Sequence, residues 1–131
     1  MSKQLIIFTD CGDTIVDEAT QIRDERQIVT EADFIPGADV VLRSLYEEGY
    51  RIALVADGEV ESFSNIFQKN GLGYCFDERI ISEAVGEQKP AQSMFQTALE
   101  RMGLVDADKS RIVIDNFPYF GTNFAAYCPA A

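Results

Sequence analysis

The chain of 131 residues contains no histidine, no tryptophan and only three cysteines. Without histidine, it lacks the Ser/His and Cys/His pairs that commonly activate a nucleophile. Cys11, Cys75 and Cys128 show no metal-ligand spacing and do not form an even set for disulfides, which indicates a reducing compartment. No apolar run reaches the length of a membrane span and no signal-peptide pattern opens the chain, so we expect a cytoplasmic protein.

Positive charge is also scarce, because the chain has 11 lysines and arginines but 22 acidic residues, which give a formal net charge of −11. A surface of that sign argues against binding to nucleic acids or to acidic membranes. Apolar residues nevertheless make up 47% of the chain, which is enough for the core of one domain. We therefore predict a single core domain over residues 1–131, without internal repeats or a linker.

Four short apolar runs predict β-strands, at residues 4–9, 51–56, 79–82 and 111–115. Their apolar residues are continuous, which is typical of strands buried on both faces of a parallel sheet. Between the runs, three segments show apolar residues at helical spacing, and they begin after Pro36-Gly37, near residue 59 and after Pro90. The alternation of strands and helices predicts an α/β fold with a doubly wound sheet and right-handed crossovers.

Residues 17–35 differ from the rest of the chain, since they are rich in Asp, Glu, Arg and Gln and hold few apolar anchors. Those anchors are Ile22, Ile28 and Val29. We predict that this segment is a small, exposed helical insertion after the first strand. It is too short to form an independent cap domain.

Residues 5–17 are the most informative segment, because an apolar run ends there in Asp10, Gly12, Asp13 and Thr14. A buried strand would bring Asp10 to the sheet edge where α/β folds build their sites. The pattern resembles the first motif of the haloacid dehalogenase (HAD) superfamily, in which a nucleophilic Asp follows the strand. Asp10, Gly12 and Thr14 carry the match. The resemblance implies a HAD-like Rossmannoid three-layer sandwich with a mostly parallel sheet.

Two later positions extend this resemblance in the order of the family's motifs. Lys89, before a predicted helix, resembles the third motif, whose lysine offsets negative charge on the nucleophile and on a phosphoryl group. Asp115, at the end of the fourth predicted strand, resembles the fourth motif, whose acid holds Mg²⁺. The resemblance implies a Mg²⁺-dependent phosphatase with Asp10 as nucleophile, Lys89 on the phosphoryl oxygens and Thr14 orienting Asp10. Asp10, the Gly12 carbonyl and Asp115 would bind the metal.

The chain departs from the family pattern at the position of the catalytic acid. Phosphatases of this superfamily carry a second Asp two residues after the nucleophile, which protonates the leaving oxygen and then activates water. Gly12 occupies that position here, and we expect the neighbouring Asp13 to point elsewhere. Loss of a general acid typically costs about 10²–10⁴-fold in rate, so slow turnover is expected.

Two further departures concern substrate and metal binding. Ala56, at the end of the second predicted strand, stands where the family usually has a hydroxyl that donates to the phosphoryl group. The backbone amides of Asp57 and Gly58, which precede the next helix, are the remaining candidates for holding an anion. After Asp115 no further acid follows, and Asn116 and Asn123 offer side-chain carbonyl oxygens that would bind the metal more weakly.

These departures leave alternatives to a phosphatase acting on a small phosphorylated molecule. One is a catalytically impaired HAD-like module that binds metal, phosphate or a protein partner. Another is metal-free haloacid dehalogenation, which needs an arginine or other halide-binding groups near Asp10, and Arg23 and Arg26 are the candidates by sequence. The family commonly continues with a further helix and strand, so we expect a sheet one strand short whose apolar edge a homodimer would cover. The sequence leaves open whether this short form is natural or truncated.

Overall fold

The computed structural model describes residues 6–87, 92–105, 108 and 111–115, without the side chains of residues 92, 114 and 115. Its strands are β1 (Ile6–Thr9), β2 (Ile22–Arg23), β3 (Val29–Glu31), β4 (Arg51–Ala56), β5 (Glu78–Ile81) and β6 (Ile112–Asp115). Its α-helices are α1 (Ala38–Glu47), α2 (Val60–Asn70), α3 (Ser82–Val85) and α4 (Gln92–Arg101). Four strands form a parallel sheet in the order β5-β4-β1-β6.

The sheet confirms the predicted α/β fold. All four predicted strands pair in it close to their expected bounds, and helices connect them. Along β1, Ile6 pairs with Arg51 of β4 on one side and with Ile112 of β6 on the other. At the carboxyl end, Thr9 pairs with Asp115. The central strand β1 therefore brings its last residue to the middle of the sheet edge.

Apolar packing on both faces of the sheet produces three layers. Ile52, Leu54 and Ala56 of β4 belong to a cluster with residues of α1 and α2, whereas Ala53 and Val55 belong to a cluster with residues of α4. All five side chains are almost fully buried. This alternation explains why the sequence shows a continuous apolar run, since both faces of the strand are covered.

Phe67 of α2 is the centre of the aromatic packing on the first face. It is fully buried. Its ring meets Phe76 at 4.8 Å and Phe34 at 6.1 Å between centroids, both in edge-to-face geometry. The Arg79 guanidinium lies 5.6 Å from the same ring. The helix is thereby fixed against the sheet and against the end of the segment that precedes α1.

Residues 17–35 are not helical, so that part of the prediction is wrong. They form a single 3-10 turn followed by the antiparallel pair β2–β3. The Asp24 carboxylate accepts hydrogen bonds from the backbone N–H groups of Arg26 and Ile28, at 2.8 and 3.0 Å, and Gln27 has a φ of +68°. Such a side-chain-to-backbone turn reverses the chain and favours a hairpin over a helix. We refer to residues 22–31 as the hairpin.

The sequence also did not indicate α3, a single turn that follows β5 directly. In the described ranges, no helix is both long and apolar enough to cross a membrane. The single domain over residues 1–131 and the homodimer both remain predictions.

Candidate active site

The loop after β1 holds Asp10 at the carboxyl end of the central strand. The backbone N–H groups of Thr14, Ile15 and Val16 all point at the Cys11 carbonyl, at 3.2, 2.8 and 3.0 Å. This tight turn reverses the chain immediately beyond Asp10. The Cys11 side chain is 1% exposed and belongs to the core, so its thiol is not part of the site.

A polar cavity of about 340 Å³ opens at this end of the sheet. Its lining comes from the loop after β1, the hairpin with the turn before it, the residues after β4, and α2. In the described part of the chain, the charged residues around it are Asp10, Glu18, Arg23, Asp57 and Glu59. Four carboxylates thus face one guanidinium, and the cavity attracts a cation more readily than an anion.

The Glu18 carboxylate lies over the backbone of Gly12. A Cβ atom built on Gly12 would overlap Glu18 Oε2 and would lie 2.6 Å from Glu18 Cδ. Partial burial raises the pKa of the Glu18 carboxyl above its ordinary value, and the charges of Asp13 and Asp10 raise it further, whereas Arg23 opposes the shift. A side chain at position 12 would therefore displace the Glu18 carboxylate from the place it holds here.

Polar contacts join the hairpin to α2 and form one wall of the cavity. The backbone N–H of Val29 donates to Ser62 Oγ at 2.9 Å, and Asn65 Nδ2 donates to the Val29 carbonyl at 2.9 Å. Ser62 Oγ in turn donates to Glu59 Oε1 at 2.8 Å, and Arg23 Nη1 lies 3.8 Å from the same oxygen. Since Ser62 and Val29 are buried, the hydrogen bonds between them satisfy polar groups that water does not reach, whereas the Arg23 and Glu59 side chains at the end of the network are 42% and 38% exposed.

Exposed ion pairs extend this connection along α2. Arg26 Nη2 lies 2.8 Å from Glu61 Oε2, and Lys69 Nζ lies 3.0 Å from Glu31 Oε1. The hydrogen bond from Arg26 is the main reason why the pKa of Glu61 is lowered. These pairs place Arg26 outside the cavity, whereas Arg23 lines it.

The residues predicted to bind substrate are distributed differently. Asp57 and Gly58 line the cavity, but Ala56 is fully buried in the core and does not. The Gly58 N–H donates to Ser82 Oγ at 2.8 Å, so this amide already has a partner within the protein. Thr14 lies in the turn after Asp10 and borders a separate, mainly apolar cavity between β1 and α1.

The predicted metal and phosphate ligands are only partly described. The backbone of Asp115 pairs with Thr9, so it ends its strand beside the strand that leads to Asp10. Lys89, Asn116 and Asn123 lie outside the described residues. Among the side chains that are described, no group of three or more His, Cys, Asp or Glu is placed to hold a metal ion.

Comparison with known families agrees with this architecture. The model of the haloacid dehalogenase-like hydrolases matches residues 4–117. The chain belongs to this family. The glyceraldehyde 3-phosphate phosphatase of Pyrococcus abyssi is 35% identical over 82 residues, which are 62% of this chain and 34% of that protein. This HAD chain therefore spans about a third of the length of that relative.

Solved structures show the same fold. A HAD-superfamily hydrolase from Ehrlichia chaffeensis gives a TM-score of 0.70 at 15% identity, over 87% of this chain and 79% of that one. The HAD-hydrolase YfnB from Bacillus subtilis, bound to magnesium, gives a TM-score of 0.56 at 23% identity, over 63% and 35%. The predicted HAD-like α/β architecture is confirmed.

Glu18 and Ser62 are among the residues of this cavity that the sequence analysis does not assign to a site. Glu18 was read only as part of an acidic, exposed segment, and its approach to Gly12 depends on a turn that the sequence did not indicate. Ser62 carried a weak signal, because it is a polar residue beside the apolar stripe of α2 that includes Phe63 and Ile66.

Proposed function

We propose that this HAD-family chain hydrolyses a small phosphorylated molecule through an aspartyl-phosphate on Asp10. One observation carries the proposal: Asp10 follows the central strand and lines a polar cavity at the carboxyl edge of the sheet. Ligand sites of open α/β sheets lie at this edge. A carboxylate in that place has the chemistry of a nucleophile for phosphoryl transfer.

Mg²⁺ is the cofactor we propose, and the donors available suit it. The Asp10 carboxylate, the Gly12 carbonyl and Asp115 are oxygen ligands, which Mg²⁺ prefers. The four carboxylates around the cavity also need a cation before a phosphate can enter. When bound, Mg²⁺ would offset the negative charge that develops on the phosphoryl group.

The protein groups then have separate roles. An Asp10 oxygen attacks phosphorus, and the ester bond to the leaving oxygen breaks. Lys89 would hold the phosphoryl oxygens, and Thr14 would support the turn that presents Asp10. Asp57 and Gly58 border the substrate. Water then opens the aspartyl-phosphate and releases inorganic phosphate.

The relative from Pyrococcus abyssi suggests the first substrate to try. Its name gives glyceraldehyde 3-phosphate, a three-carbon phosphate ester. The cavity of about 340 Å³ is of the size that binds small ligands. We propose phosphate esters of this size as the substrate class.

A catalytically impaired binding module is the second candidate, and two positions favour it. Ala56 offers no hydroxyl and is fully buried, and Gly12 offers no acid. Such a module would hold metal and a phosphoryl group without turning the phosphate over. The distinction is therefore whether binding is followed by release of phosphate.

Phosphate release from glyceraldehyde 3-phosphate, with Mg²⁺ and with EDTA, tests the proposal. We expect Mg²⁺-dependent release by the native chain and none above background by Asp10→Asn. Asp33→Asn is the matched control, since Asp33 is exposed and does not line the cavity. No release of phosphate from this or other small phosphate esters would favour the binding module. Chloride release from a 2-haloacid without Mg²⁺ would instead indicate dehalogenation, with Arg23 near Asp10.

A further inference from the structure

We propose that Glu18 is the general acid and base of the reaction, in the place that Gly12 leaves without a side chain. This inference rests on the proposed function. Breaking a phosphate ester leaves an oxygen that needs a proton, and opening the aspartyl-phosphate needs a base for water. Gly12 supplies neither, and the chain contains no histidine. A carboxylate from another element can do both.

Glu18 occupies the volume that a side chain at position 12 would fill. The Cβ of such a residue would overlap Glu18 Oε2. Glu18 lies six residues further along the chain than Gly12. Its carboxylate therefore occupies the place near Asp10 where a side chain at position 12 would begin. It also lines the cavity that Asp10 lines. Glu18, which lies outside the first motif, thus brings an acid to the place where the motif itself has none.

Hydrogen bonds fix the backbone that carries Glu18. Its N–H donates to Asp13 Oδ1 at 2.9 Å. The Thr20 hydroxyl donates to the Asp17 carbonyl at 2.6 Å and accepts from the N–H of Asp33 at 2.8 Å. The turn is thereby tied to the residue that precedes it and to the far end of the insertion. In contrast, no hydrogen bond to the Glu18 carboxylate itself is seen among the described residues, which leaves that group available for a substrate.

Of the other carboxylates of the cavity, Glu59 fits the role less well and Asp57 is the alternative that the experiment has to separate from Glu18. Glu59 accepts a hydrogen bond from Ser62 at 2.8 Å and lies 3.8 Å from Arg23, so its carboxylate takes part in the contacts between the hairpin and α2. Asp57 follows β4, the strand next to β1, and is the rival for the role.

The proton movements balance over the two steps. In the first, Asp10 bonds to phosphorus while the ester P–O bond breaks, and the Glu18 carboxyl gives its proton to the leaving oxygen. In the second, the Glu18 carboxylate takes a proton from water while the water oxygen bonds to phosphorus. The bond from phosphorus to Asp10 breaks, inorganic phosphate leaves, and both side chains return to their starting states.

A trapping experiment tests this role. Glu18→Gln is nearly isosteric and keeps the backbone contacts. With p-nitrophenyl phosphate or acetyl phosphate, whose leaving groups need no acid, we expect one phosphorylation followed by a stop. Steady turnover should fall by about 10²–10⁴-fold, and mass spectrometry should find phosphate on Asp10. Glu25→Gln, an exposed glutamate of the hairpin outside the cavity, should match the native chain.

A rescue variant tests whether a carboxylate at this place in the cavity is sufficient, whichever residue supplies it. Gly12→Asp should fit once Glu18→Ala has emptied the space, and the double variant should recover turnover lost in Glu18→Ala alone. Three outcomes would overturn the role of Glu18 and leave the proposed function standing. They are native turnover in Glu18→Gln, a loss of its turnover without phosphate on Asp10, and trapped phosphate in Asp57→Asn instead. A native chain that neither turns over nor becomes phosphorylated would remove the proposed function, and this inference with it.

Discussion

The parallel sheet and the hairpin meet at the same cavity, but different forces hold them in place. The sheet is fixed by apolar side chains buried on both faces, such as Leu54 and Val55 of β4. The hairpin has one buried anchor, Val29, whereas its Ile22 is 54% exposed. Its position on α2 depends on hydrogen bonds and surface ion pairs. Apolar burial withstands salt, whereas exposed ion pairs do not.

The difference separates two properties of the site. The sheet edge that presents Asp10 should persist as long as the fold does. The hairpin wall, which carries Arg23, should loosen under conditions that leave the fold intact, because local stability follows local burial. Mutations in each region can therefore be told apart by whether they change global unfolding or only local opening.

The largest effect is expected in the sheet region. Phe67→Ala removes a fully buried ring that contacts Phe34 and Phe76, and it should lower the free energy of unfolding by about 3–5 kcal/mol. Urea denaturation measures this loss. Tyr74→Ala, which truncates a half-exposed ring, is the control and should cost much less. Equal losses for both variants would mean that Phe67 is not the packing centre.

Ser62→Ala should weaken the joint between the two regions. It leaves the buried N–H of Val29 and one oxygen of Glu59 without their partner, which costs about 1–3 kcal/mol. We expect amide exchange at Val29 to accelerate more than exchange in β4. Ser44→Ala, at an exposed site on α1, should change neither. Uniform acceleration across the sheet would show that the hairpin and the core open together.

A smaller, salt-dependent effect is expected for the ion pairs. Arg26→Ala removes the contact with Glu61, and exchange should rise in the hairpin while the global midpoint of denaturation hardly moves. Because salt screens exposed charges, the native chain in 1 M NaCl should approach the behaviour of the variant. A shift of the global midpoint as large as that of Ser62→Ala would contradict the separation of the two regions.

The smallest effect concerns pH and Glu18. Its pKa is raised above the ordinary value of 4.5 in the folded chain, so folding favours its protonated form. The resulting stabilisation of the folded chain is fully present below pH 4.5, and it is lost as the pH rises through the higher pKa of Glu18 in the folded chain. Without added metal, Glu18→Gln should therefore melt slightly above the native chain at neutral pH, and this advantage should disappear on acidification. A difference independent of pH would argue against the shifted pKa.

The predictability of the two regions differs in the same way. The four strands of the parallel sheet and three of the helices could be predicted from the spacing of apolar residues, because burial against the sheet fixes that spacing within each segment. The hairpin could not, since the contact of Val29 with Ser62 joins residues far apart in sequence. Asp10 was found because its motif is contiguous. The approach of Glu18 to Gly12 was not, since it depends on the turn that Asp17 and Thr20 build.

Calorimetric titration with Mg²⁺ and beryllium fluoride, a phosphoryl mimic, is the most direct test of Asp10 as the nucleophile of this site. We predict that the native chain binds the fluoride complex only with Mg²⁺, and that Asp10→Asn does not bind it. Fluoride-complex binding that is equal in both proteins, or absent from both, would contradict the assignment of Asp10.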